Sequence, residues 1–153
     1  QVSARGTISL AEEIAHEHRH NVLNAILSFD PVFDESQGGL GQLYSPWKRC
    51  RRPLLGILHG IYSFQEVLAV YCAWLDRNPD DRKLQEQAAI QAARLESVLP
   101  RFREAAQLTA FGAALADALA DKVDGLVHRV AEDWPGLLGL ARSQVAAAEG
   151  SQK

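Results

Sequence analysis

No stretch of this chain alternates apolar and polar residues with the period of two that a half-buried strand requires, whereas apolar residues recur at helical spacing through most of it. The fold class this implies is all-α: a single bundle-like domain of about five helices, with a long loop between the first and second. At 153 residues the chain is the size of one ordinary domain and can bury a core without disulfides or metal staples.

Start and stop signals divide the helices. Ser9 followed by Glu12 matches a capping box, in which hydroxyl and carboxylate each satisfy an orphan N–H, so helix one is expected from Leu10 to Phe29. Pro31 disfavours helical geometry at Asp30 and stops it. From Asp30 to Arg52 the chain reads as a loop, and loops of that length are functional or mobile more often than incidental. Pro53 suits the first turn of helix two, which runs to Asp76. Asn78, Pro79, Asp80 and Asp81 offer a cap, a first-turn proline and dipole-complementing acids for helix three. That helix is expected to reach Thr109 with a kink near Pro100. Gly112 separates it from a fourth helix, Ala113 to Asp133, and a last one runs from Pro135 to Ala148. There is no repeat at solenoid period.

A net charge of −3 supplies no global field toward nucleic acid or a membrane, so neither is an expected partner. No uninterrupted apolar run approaches the roughly 18 residues of a membrane span, and no signal-peptide layout opens the chain. Two cysteines, Cys50 and Cys72, read as free thiols of a reduced, cytoplasmic protein. The chain begins without Met and close to its strongest motif, which fits a fragment or the C-terminal domain of something longer.

That motif is His16-Glu17-His18-Arg19-His20. Residues i and i+4 of a helix share a face, so His16 and His20 can aim two imidazole nitrogens at one divalent ion, with Glu17 beside them to act on a metal-bound water. The stripe continues through Leu23 and Leu27, which puts both rings on the core-facing side. Buried neutral imidazoles need partners, and a metal supplies them. His18 reads as solvated, and His128 as surface or structural.

Two helical histidines need a third ligand. His59 is the first candidate, because Gly56 and Gly60 beside it leave room for another helix to approach. Glu66, two turns further along the same face, is its rival and the natural third ligand of a zinc peptidase. A second feature precedes helix two. Lys48, Arg49, Arg51 and Arg52 crowd its start, where the helix dipole is already positive, and together they make an anion site. Tyr44 and Ser45 offer hydroxyls to it, and Trp47 a wall.

In order and spacing, "HEHRH", "YSPWKRCRRP" and "GILHGIYSF" resemble the HExxH-motif family of peptide-modifying proteins, over about Ser9 to Trp74. Members of that family accompany the biosynthesis of ribosomally made, post-translationally modified peptides, alone or fused behind radical-SAM maturases. The resemblance implies an oxidoreductase: an iron(II)- and 2-oxoglutarate-dependent dioxygenase that β-hydroxylates a side chain of a precursor peptide. It makes His16, His20 and His59 the metal ligands and Arg52 the grip on the cosubstrate carboxylate, while Lys48 stands where the family pattern leads one to expect Arg. The residues alone leave two alternatives open. One is a zinc peptidase with Glu17 as general base. The other is a non-catalytic peptide-binding module of a larger maturase.

Overall fold

The structure, a computed structural model, describes residues 4–34 and 41–151. Over these residues the protein is mostly helical: α1 (Ala4–Phe29), β1 (Gln42–Ser45), β2 (Cys50–Pro53), α2 (Leu54–Leu75), α3 (Arg82–Ala105), α4 (Ala110–Asp133) and α5 (Pro135–Gly150). The all-α class expected from periodicity holds, with one small hairpin added.

Helix α2 is apolar almost all round, and such a helix belongs in the interior. Leu54, Ile57, Leu58, Ile61, Val67 and Leu68 are all buried. Each large side chain so removed from water contributes on the order of 1.5–3 kcal/mol. Helices α1, α3 and α4 pack around α2, and α5 packs on α3. The buried face of α3 joins Ala88, Ala89, Ala92 and Ala93, whose small side chains let its neighbours approach closely, to larger core residues at Leu84, Leu95, Val98, Leu99 and Phe102. By length and composition α2 could also cross a membrane. His59, Gln65 and Glu66 interrupt its apolar sequence, and 56% of its most apolar window lies buried inside the fold.

The described residues of the loop expected between Asp30 and Arg52 are held by hydrogen bonds at both of its ends. Val32 O accepts from Thr109 N at 3.0 Å, Asp34 N donates to Gln107 O at 2.9 Å, and Thr109 Oγ1 donates to Pro31 O at 2.7 Å. These bonds pin the chain leaving α1 to the α3–α4 junction. A Cβ added at Gly112 would meet Val32 O at 2.1 Å, so this glycine permits the close approach and sits inside α4, where Thr109 accepts from its N–H as the cap. Residues 35–40 of the expected loop lie outside the described residues.

The end of the same loop is a hairpin. β1 and β2 pair antiparallel, Leu43 with Arg52, Tyr44 with Arg51 and Ser45 with Cys50. Arg49 N donates to Ser45 O at 2.8 Å and Lys48 N to Ser45 Oγ at 3.3 Å, closing the turn Pro46–Arg49. Pro53 therefore ends a strand and caps α2, and does not begin its first turn.

Two other boundaries move. α1 begins at Ala4, so Ser9 and Glu12 lie within the helix and form no capping box at its start. α3 begins at Arg82, because Asp81 accepts from Leu84 N while the Asn78 amide donates back to Trp74 O. It closes at Ala105, with Pro100 inside it, where the extended backbone of Ala106 takes over.

Candidate metal and anion site

α1 and α2 pack side by side and turn three imidazoles toward one another. His16 and His20 stand one turn apart on α1 with ring centroids 4.5 Å apart, edge to face. The His59 ring of α2 stacks on His20, and the two Nδ1 atoms are 2.9 Å apart. At that distance one ring carries the proton and donates it to the lone pair of the other. All three histidines line a single cavity of about 270 Å³.

Burial lowers the pKa of His20, and the neighbouring charges of His16 and Lys48 lower it further, against a smaller upward pull from Glu17. His59 is lowered by burial and then by His20. Both rings are thereby biased toward the neutral form, which is the form that ligates a metal.

The charge pair Arg19–Glu66 holds this face together. Arg19 Nη2 donates to Glu66 at 2.7 Å and Lys122 Nζ donates to the same carboxylate at 2.9 Å, joining α1, α2 and α4. Burial alone would raise the Glu66 carboxyl, but bonding to Lys122 and the charge of Arg19 outweigh it and hold it low. Arg19 also lies over the Tyr62 ring, 5.7 Å from its centroid. Glu66 is thus committed to two cations, and it does not line the histidine cavity as a rival ligand would.

The hairpin supplies the opposite wall. Trp47 stacks on Phe64 with ring centroids 4.8 Å apart, and its indole N–H donates to Gln91 Oε1 at 2.9 Å. A Cβ on Gly60 would sit 2.8 Å from the Trp47 ring, so Gly60 is the space the indole occupies. The glycine face was expected to admit another helix; a tryptophan from the turn fills it instead. At Gly56 a Cβ would meet only the Arg52 side chain, at 3.5 Å.

Of the basic segment, Lys48 and Arg52 line the histidine cavity and Arg49 and Arg51 do not. Strand alternation separates Arg51 from Arg52, since successive side chains point to opposite faces. Lys48 and Arg49 lie in the turn, where Arg49 takes a left-handed backbone. Ser45 and Arg52 share the inner face and Tyr44 and Arg51 the outer one. Tyr44 and Arg49 border a different cavity, so the expectation that they join Arg52 around one cosubstrate does not hold. Ser45 lines the histidine cavity, but its hydroxyl already accepts from Lys48 N.

Glu17 is also displaced from its expected role. Its side chain is 74% exposed, it touches His16 Nδ1 at 3.4 Å, and it does not line the cavity. The i+1 position of H-E-x-x-H lies about 100° round the helix from the first histidine, which here points the carboxylate to solvent. His18 and His128 are exposed, as expected, and His128 faces Glu132. Phe64 and Gln91 carry the Trp47 wall without having been singled out. Phe64 lies one turn beyond Gly60 and shares its face, so helical spacing could have found it; nothing local marks Gln91.

The cavity thus holds three imidazoles and two cations, with no carboxylate in its lining. Among the described residues no three His, Cys, Asp or Glu side chains already converge as metal ligands. The approach to such a site is two-thirds made. Bonds of 2.0–2.1 Å at tetrahedral to octahedral angles place two nitrogens on one ion roughly 2.9–3.4 Å apart, and His20 and His59 stand at the lower end of that range. His16 borders the same cavity with its Nδ1 toward Glu17, which leaves its Nε2 as the atom available to a metal. Comparison with protein-family models, with curated proteins and with solved structures gave no match.

Proposed function

We propose that this protein is a metal-dependent oxidoreductase that binds Fe(II) through His16, His20 and His59, takes 2-oxoglutarate as cosubstrate, and β-hydroxylates a side chain of a ribosomally made precursor peptide. The observation that carries the reading is one cavity joining a nitrogen pair at metal-ligand separation to Lys48 and Arg52, with no carboxylate lining it. Three neutral imidazoles leave a ferrous ion its full charge, and a dianionic cosubstrate balances it. Bound iron and 2-oxoglutarate would together supply the oxidant for C–H hydroxylation.

The chain's own residues have distinct tasks. His20 and His59 would hold the ion through their facing Nδ1 atoms. The ring that carries the shared proton on Nδ1 would carry it on Nε2 instead, a tautomer change that leaves both rings neutral. Arg52, lying over Gly56 at the cavity mouth, and Lys48 hold the distal carboxylate of the cosubstrate. Trp47 and Phe64 exclude water from one side and give the incoming side chain an apolar wall. Glu17 steadies the His16 ring and is not assigned a proton-transfer role. Glu66 and Arg19 keep α1 in register with α2, so that His20 faces His59. A radical-SAM maturase, on the same chain or a separate one, fits as the partner that handles the same peptide.

A zinc peptidase with Glu17 as general base is the competing reading. The solvent-facing Glu17 and the double ion pair of Glu66 both weigh against it.

Metal analysis and cosubstrate turnover test the proposal together. The anaerobically iron-loaded protein is expected to convert 2-oxoglutarate to succinate in air, while His20→Ala and His59→Ala retain their helical spectrum and lose the metal. Metal content in His59→Ala equal to the parent would remove His59 from the site. Zinc with peptide cleavage and no succinate would replace the proposal with the peptidase.

A further inference from the structure

A second cavity lies on the other side of the hairpin turn. It has a volume of about 110 Å³ and is bordered by the turn, α3 and the C-terminal half of α5. Arg49 from the turn and Arg94 from α3 both border it, with the Tyr44 ring and the Gln144 amide beside them. Neither guanidinium has a carboxylate partner among the described residues. The nearest acid of α5, Glu149, is taken by Arg101 at 2.6 Å.

Two like charges at one small cavity, one of them half-buried, are costly unless an anion joins them. Burial and then the neighbouring Arg49 lower the pKa of Arg94, and only the Tyr44 and Tyr71 hydroxyls oppose that. The backbone adds an independent sign. Arg49 has φ 52°, and it is the one non-glycine residue with positive φ among the described residues. Left-handed backbone at a long side chain is uncommon and marks positions where something fixes the residue.

We propose that this cavity is an anion site, distinct from the histidine cavity, that takes a single carboxylate or phosphate group between Arg49 and Arg94. Paired guanidinium forks match the oxygens of either group, the Gln144 amide and Tyr44 hydroxyl can donate to them, and the volume suits one such group and little more. Its occupant would be an acidic side chain, a peptide C-terminus or free phosphate. An anion held there also grips the turn whose other residues, Trp47 and Lys48, wall the histidine cavity. The inference does not depend on the metal reading.

The test is thermal unfolding of the metal-free protein against inorganic phosphate and, separately, acetate, at constant ionic strength set by chloride. Phosphate, acetate or both should raise the midpoint of the parent. The rise should shrink at least fivefold in Arg94→Gln and in Arg49→Gln and persist in Arg52→Gln, which alters only the histidine cavity. A larger response to acetate assigns the site to carboxylates, a larger one to phosphate assigns it to phosphate groups, and either supports the proposal. No anion response in the parent, equal responses in all four proteins, or a response lost only in Arg52→Gln would overturn it. Arg49 is exposed, so Arg49→Gln decides the matter if Arg94→Gln does not fold.

Discussion

The two faces of the hairpin meet different environments although they share eight residues of strand. The inner face looks across Ser45 and Arg52 onto three histidines, and the Trp47 indole closes it against α2 and α3. The outer face carries Tyr44 and Arg51 and continues into Arg49, whose cavity is lined by two cations, neutral polar groups and apolar side chains, with no carboxylate. One basic run in sequence has become two separate sets of charges, sorted by strand alternation and by the single left-handed residue of the turn. Charge density along a sequence is therefore a poor guide to charge density in space: a hairpin can divide what a loop would pool.

The largest effect should come from the inner wall. Trp47→Ala removes an indole packed on Phe64 and Gly60 and leaves Gln91 unpaired at Oε1. A loss of about 3 kcal/mol in denaturant-determined stability is expected, toward the low end for aromatic truncations because Trp47 is only partly buried. Gly60→Ala should cost about 1–3 kcal/mol by overpacking, since the new methyl meets the indole at 2.8 Å. Arg51→Ala on the outer face should stay within about 0.5 kcal/mol. If Arg51→Ala proved the more damaging, the inner face would not be the structural one.

The second expectation is a pH dependence confined to the inner face. The pKa values of His20 and His59 are lowered on folding, so the unfolded chain binds more protons than the native one between the folded and unfolded values. Stability of the metal-free protein should then rise with pH through that window. The contribution is complete above the unfolded histidine value near 6.5 and is lost as pH falls through the lowered folded values. Unfolding curves at a series of pH values between 5 and 7.5 should show this positive slope, and His20→Gln/His59→Gln should flatten it. A slope unchanged in the double variant would place the titrating groups elsewhere.

What could be read from the sequence, and what could not, follows the same division. Helical spacing alone puts His16 and His20 on one face and points it inward, and the glycines beside His59 mark a place of close approach. The hairpin was illegible because its strands are four residues each, "CRRP" is exposed at every position, and two such strands carry no alternation to detect. Without the hairpin, Lys48 to Arg52 read as one cluster, and Arg49 and Tyr44 are assigned to the wrong cavity. The start of α1 differs from the sequence signal because Ser9-x-x-Glu12 is a cap pattern that a longer helix absorbs. Arg94 and Gln144 had no local signal at all. On Ala-rich helices they look like solvated residues, and only the packing of α3 and α5 against the turn gives them a cavity to face.

A smaller effect separates the cations themselves. Arg52 is exposed, and the binding energy a single exposed cation lends a carboxylate is about 1 kcal/mol or less. Arg52→Ala in the iron-loaded protein should accordingly weaken 2-oxoglutarate binding by about fivefold, while Arg51→Ala leaves it unchanged. Calorimetric titration of both variants checks this. Equal losses would mean that strand alternation does not sort these charges, and no loss in either would remove Arg52 from the cosubstrate site.

The smallest expected effect bears on why an arginine occupies the left-handed turn position. Glycine adopts φ 52° without a Cβ penalty, whereas an L side chain there is strained by about 1 kcal/mol. Glycine also carries more conformational entropy in the unfolded chain, which offsets part of that gain. Arg49→Gly should therefore stabilise the metal-free protein by about 0.5 kcal/mol, read from the denaturation midpoint in chloride alone. It also removes one of two like charges facing the same cavity, which acts in the same direction. Adding phosphate or acetate should reverse the order of parent and variant, because only the parent keeps both guanidiniums for the anion. Arg49→Lys separates the two causes: it keeps the charge and the strain and loses only the forked geometry, so it should resemble the parent in chloride and fall between parent and Arg49→Gly in anion. If Arg49→Gly were destabilised in chloride, the residue would be held by native contacts and not by the demand for a cation, and the turn would be an ordinary structural corner.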